Sequence, residues 1–121
     1  MGLEMNVTDE LALAAAERRS LELRELVLNL LHAFPDLERV PAPSTQDPRA
    51  RAIAASLLEL LAERRNQKPP EWTQLEGQTE RFFLVAAAET MPRLRALCER
   101  EAPPMLKKRN LFAPPNFLEV A

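Results

Sequence analysis

Residues 8–34 run for 27 positions without a proline or a glycine, and within them Leu23, Leu26, Val27, Leu30, Leu31 and Phe34 recur at three- and four-residue steps. At 3.6 residues per turn that spacing lines apolar side chains along one face, so the stretch is expected as one long helix. Asn6 or Thr8 can accept hydrogen bonds from the free amides of its first turn, and Asp9 and Glu10 suit the positive end of its dipole. Pro35 ends it, because a residue before proline avoids helical dihedrals. Leu13, Leu21 and Leu28 fall off the main face, so this helix is expected to be covered on more than one side. The rest of the chain agrees with a helical class: 21 leucines and 18 alanines stand against five valines and one isoleucine. Leucine and alanine lose little freedom in a helix, whereas β-branched residues suit a pleated sheet. Gly2 and Gly77 are the only glycines, so tight hairpins needing positive φ are scarce.

The 121 residues are expected to form a single all-α domain. Segment 35–47, with Pro35, Pro41 and Pro43, reads as a linker. Asp47-Pro48 then restarts order, an acceptor at the cap followed by a proline whose missing amide needs no partner. A second helix is expected over 48–65, with Ile53, Leu57, Leu60 and Leu61 as its stripe, packed on the first as a helical hairpin. Residues 66–89 read as a loop and a short apolar segment, opened by Pro69-Pro70-Glu71-Trp72. Phe82-Phe83-Leu84-Val85 is apolar on both sides, and residues 79–89 fit either a helix or an extended strand. A third helix over 90–101, capped by Thr90 and carrying Leu94, Leu97 and Cys98 on one face, is expected to lie across the hairpin. The proline-rich residues 102–121 are expected as an irregular tail packed on the outside.

Charge and residue inventory narrow the function classes. The net charge is −2, with an acidic surplus in residues 1–40 and a basic one in residues 92–109. That falls short of a nucleic-acid footprint. Cys98 is the only cysteine, so no internal disulfide forms. No secretory signal and no bilayer-length apolar run are visible, and a cytoplasmic location is expected. His32, the only histidine, has no second imidazole for a metal site or a proton relay, and its expected role is packing or a favourable place at the helix C-terminus. Carboxylates at helical spacing, Glu22/Glu25 and Glu59/Glu63, have arginines nearby and read as surface pairs. There is no phosphate-cradling loop and no zinc spacing, so no cofactor is expected and enzymatic activity has no foothold.

Residues 102–121 carry Leu106, Leu111, Phe112, Phe117 and Leu118, and four prolines prevent one helix from gathering them on a single stripe. Such a strip must lie against a surface, either this chain's own helices or a partner, and both readings stay open. Trp72, a large amphipathic anchor, has the same two options. The partner-binding candidates are therefore Trp72, Leu111, Phe112, Phe117 and Leu118 as anchors, with Arg93, Lys107, Lys108 and Arg109 as steering cations.

The strings Lys68-Pro69-Pro70-Glu71-Trp72, Met91-Pro92-Arg93-Leu94 and Lys108 to Leu118 resemble the C-terminal half of small bacterial proteins encoded beside nucleotidyltransferase-like toxins. The resemblance covers roughly residues 68–120. It implies an antitoxin-like, non-enzymatic protein that binds a toxin enzyme encoded nearby, and it supplies no catalytic residues. Two other readings follow from the residues alone. One is a homo-oligomeric helical scaffold, a homodimer for instance, built on the wide leucine surface of the first helix. The other is nucleic-acid binding through the basic 93–109 patch.

Overall fold

A computed structural model describes residues 5–119 and is predominantly helical, 58% helix against 3% strand. Helix α1 spans Val7–Ala16, α2 Ser20–Ala33, α3 Pro48–Arg64, α4 Pro92–Glu101 and α5 Pro104–Lys107. Single 3-10 turns cover Leu37–Arg39, Glu71–Leu75 and Ala86–Glu89, and two short strands, β1 at Phe82–Phe83 and β2 at Leu111–Phe112, pair in parallel. The all-α expectation stands, with a two-residue ladder added.

The long first helix is two helices. Arg18 adopts φ 59° between α1 and α2. Its amide bonds Ala15 O at 3.1 Å and the Arg19 amide reaches back to Ala14 O at 2.9 Å. This is the Schellman closure, with a left-handed residue just past the helix end. At the end of α3 the same closure is made by Asn66 at φ 54°, with the Gln67 amide on Ala62 O at 2.8 Å. Asparagine tolerates that conformation, whereas arginine carries no local preference for it.

Asn6 is the cap of α1: its side chain accepts from the Asp9 amide at 2.9 Å while Asp9 Oδ2 accepts from the Asn6 amide at 3.0 Å. Asp9 also accepts the amides of Ser44 and Thr45 at 2.9 and 3.1 Å, together with the Ser44 hydroxyl. Burial raises the Asp9 carboxyl, but these donors outweigh it and hold the group below its ordinary range. The 35–47 linker is thereby tied down. Thr8 Oγ1 donates to Pro41 O at 2.6 Å, Asn6 Nδ2 to Ala42 O at 2.8 Å, and Gln67 Nε2 to Pro35 O at 3.0 Å.

Helix α3 is the hub. Asp47 caps it through the Ala50 amide at 3.1 Å with Pro48 in the first turn, as expected from the sequence. Ala52 through Leu58 and Leu60 through Ala62 are all buried, as befits a helix enclosed by neighbours. It packs on α1, on the 71–75 turn and on α5, and α1 in turn packs on α2. A simple two-helix hairpin is thus replaced by a central α3 with smaller elements around it. Helix α4 does not lie across these helices as expected. It packs on the 86–89 turn, and its Cys98 belongs to a second small cluster with Phe83, Ala88, Ala102 and Phe112.

The parallel ladder separates the two clusters by side-chain parity. Phe82 is opposite Leu111 and Phe83 opposite Phe112. Successive residues of a strand face opposite ways. Phe82 and Leu111 therefore join the main core, while Phe83 and Phe112 join the second cluster with ring centroids 5.3 Å apart. Residues 79–89 thus resolve into an extended pair followed by a short turn.

Candidate functional site

The predicted partner-binding residues divide sharply. Leu111 is fully buried and Phe112 is 6% exposed, so both belong to the chain's own core and are not available as docking anchors. Arg109, expected as a steering cation, is 2% exposed. Its guanidinium donates to Glu59 Oε1 at 2.5 Å, Thr73 O at 2.9 Å, Met105 O at 2.9 Å, Glu76 O at 3.1 Å and Ser56 Oγ at 3.2 Å. Five acceptors from four parts of the chain surround the fork, which is what lets a charge this deep persist. Glu59 answers it: burial pushes its carboxyl up, but the Arg109 bond and the charges of Arg109 and Lys108 outweigh that and hold it below the usual carboxylate range.

This network joins the segment around Trp72 to residues 109–112 in space. The 71–75 turn supplies Thr73 O, the 76–79 loop supplies Glu76 O, and the backbones of Thr79, Phe82 and Leu84 bond residues 109–112. Trp72 is half-buried with its indole nitrogen donating to Val40 O at 2.8 Å, so it anchors the linker to this assembly.

The remaining cations are exposed but mostly matched. Lys108 lies 3.3 Å from Glu59, Arg95 3.8 Å from Glu99, and Arg100 3.1 Å from Glu101. Lys107 Nζ donates to Arg100 O at 3.2 Å. Among the described residues, Arg93 and Lys107 are the cations of the 93–109 segment that lack a carboxylate partner. With Arg109 internal and three others compensated, the patch offers little free positive charge to a phosphate backbone.

Phe117 and Leu118 are half-buried and lie at the rim of a groove of about 270 Å³. Leu23 of α2, Leu84 and Val85 line it with them, and so do Arg18, Arg24 and Glu119. The tail is held there by Arg64, whose guanidinium donates to Pro115 O at 3.2 Å and to Phe117 O. Leu118 sits at φ 62°, a conformation costly for a leucine and maintained only when its surroundings impose it. Arg18 was not legible as a site residue. Its Nε donates to Phe83 O at 3.0 Å, it pairs with Glu89 at 2.8 Å, and its guanidinium stacks on Phe82 at 4.9 Å. No sequence signal marks it, because its position depends on the left-handed break. The groove therefore unites a predicted pair, Phe117 and Leu118, with α2 and β1-flanking residues that share no sequence neighbourhood.

A second apolar groove, about 310 Å³, runs along α1 between Met5, Leu13 and Ala16 and the start of α3. Cys98 is fully buried and its thiol is pushed up, first by that burial and then by Glu99, whereas His32 is exposed on α2. Among the described residues no helix is long and apolar enough to cross a membrane. No known family, curated protein or solved structure matches the chain.

Proposed function

We propose that this chain is a non-enzymatic protein-binding module, most concretely the antitoxin of a bacterial toxin–antitoxin pair, which neutralises a cytoplasmic toxin enzyme by direct binding. The observation that carries the reading is the groove at Phe117 and Leu118. These two large apolar side chains stay only half-covered while Leu106, Leu111 and Phe112 are buried, and they border other apolar residues together with Arg18, Arg24 and Glu119. Sites of this kind, apolar with a few placed polar groups, accept the apolar side chains of a partner segment. Arg18 is already paired with Glu89, so Arg24 is the groove cation that favours a carboxylate on the docked segment. The resemblance of residues 68–120 to proteins encoded beside toxins supplies the partner class.

The test is capture of the adjacent gene's product by the tagged full-length chain, followed by rescue of growth when the two are co-expressed. Removing residues 102–121 would be uninformative, since Leu106, Arg109 and Leu111 are structural. Leu118→Asp is the better variant: it is expected to keep the fold, by far-ultraviolet circular dichroism, and to weaken capture at least about tenfold. Full capture and rescue by folded Leu118→Asp would remove the groove from the reading, and failure of the adjacent product to bind the wild-type chain would remove the pairing.

A further inference from the structure

Helix α2 buries only one side. Leu23, Val27 and Leu30 enter the core, with Leu26, Leu31 and Phe34 packed against it. About half a turn away, at 3.6 residues per turn, Leu21, Leu28 and His32 form an outward line with Arg24 on one flank and Glu25 on the other. Leu21 is 82% exposed and Leu28 46% exposed, two turns apart on this stripe. Among the described residues neither Arg24 nor Glu25 has an ion-pair partner, a state Arg24 shares with Arg64, Arg65 and Arg93, whereas arginines 18, 19, 39, 49, 51, 81, 95, 100 and 109 are paired. An unpaired cation and an unpaired anion thus stand on opposite flanks of an apolar line, in adjacent positions.

The placement of those charges selects both an occupant and an orientation. When two copies of one helix pack side by side in parallel about a twofold axis, each residue of the central line meets itself and the left flank of one helix faces the right flank of the other. In an antiparallel pair, each flank faces its own copy. Parallel packing therefore sets Arg24 against Glu25 of the second copy, twice, with Leu21 on Leu21 and Leu28 on Leu28. Antiparallel packing sets arginine near arginine and glutamate near glutamate. We propose that a second copy of this chain docks on this face, with α2 beside α2 in parallel and Arg24 paired to Glu25 across the twofold axis.

Fourteen residues give a contact about 21 Å long. A contact of two exposed leucines and one arginine–glutamate pair from each copy is a small one, so the expected product is a reversible dimer with a dissociation constant on the order of 10–100 μM. The face is separate from the groove at Phe117 and Leu118 in one useful respect: Glu25 does not line that groove, while Arg24 does.

Sedimentation equilibrium of the full-length chain from 5 μM to about 0.5 mM tests the proposal. Wild type is expected to move from monomer to dimer over that range. Arg24→Glu alone and Glu25→Arg alone each replace two attractions by two repulsions and are expected to dimerise about tenfold more weakly. An equimolar mixture of those two variants restores both attractive pairs and is expected to return to wild-type association. Leu21→Cys, placed on the axis, is expected to cross-link to itself under mild oxidation, while native Cys98 stays buried. A wild-type chain that remains monomeric at 0.5 mM overturns the proposal, as does a mixture no stronger than either variant alone. Cross-linking only between Leu21→Cys and Leu28→Cys chains overturns the parallel orientation. Because the Glu25→Arg variant leaves the groove intact, its capture of the adjacent gene's product reads the protein-binding function independently of self-association.

Discussion

Replacing Arg109 by methionine tests the central structural claim, that a cation in a run of three basic residues is an interior strut. The side chain is 2% exposed and its guanidinium serves five acceptors. Methionine keeps much of the volume and removes every donor. Glu59, whose side chain is 12% exposed, then keeps only Lys108 at 3.3 Å; Glu76 O loses its side-chain donor, while Met105 O keeps the Ser56 hydroxyl at 3.1 Å and Thr73 O the Glu76 amide at 3.3 Å. Removing one member of a buried pair costs about 3–5 kcal/mol. Lys108 offsets part of the charge left on Glu59, while the deserted Glu76 carbonyl acts in the opposite direction, an unsatisfied group costing about 1–3 kcal/mol before relaxation. A net loss of about 3–5 kcal/mol is a large share of the roughly 5–15 kcal/mol available to a domain. It corresponds to a fall in Tm of roughly 10–20 °C. Urea unfolding followed by circular dichroism measures it. Adding Glu59→Met to Arg109→Met is expected to restore part of the loss, since the orphaned charge is then gone. A cost below about 1 kcal/mol for Arg109→Met, the range of exposed ion pairs, would refute the reasoning.

Two further outcomes follow from the same geometry. Asp9 and Glu59 both hold their protons less tightly folded than unfolded. Their stabilisation is therefore complete above the ordinary carboxylate range and is lost as pH falls through the depressed folded values. The urea midpoint is expected to be flat between pH 6 and 8 and to drop below about pH 4.5, and Asp9→Asn or Glu59→Gln to make that drop shallower. A midpoint that rises on acidification would contradict this. At Arg18, with φ 59°, glycine and alanine both delete the bonds to Phe83 and Glu89, but glycine relieves the left-handed backbone. Arg18→Gly is thus expected to be about 1 kcal/mol more stable than Arg18→Ala, and in both variants amide exchange should quicken at 83–89 before it does in α3. Equal stabilities would remove the backbone argument.

Where local chemistry and tertiary demand coincide, the structure was readable from residues. Asp47-Pro48 marks the start of α3, Pro103 the end of α4, and Asn6 caps α1; the expected cap of α4, Thr90, instead closes the 86–89 turn, and Met91 stands at the N-cap with no side-chain bond. The candidate groove was readable only in its Phe117 and Leu118 rim. The α2 residues and Leu84 and Val85 that line it meet the tail only after the chain has folded.

By itself the sequence determined the helical class, since the leucine and alanine bias and the scarcity of glycine act residue by residue, whatever the neighbours in space. Tertiary structure alone decided the break at Arg18, the interior place of Arg109 and the ladder joining residues 82–83 to 111–112. Each of these depends on partners tens of residues away. Helix propensities differ by only about 0.7 kcal/mol per ordinary residue. Burial of a leucine side chain contributes about 1.5–3 kcal/mol, so the packing of Leu11, Leu23 and Leu30 in the common core can outweigh the local preference to continue one unbroken helix.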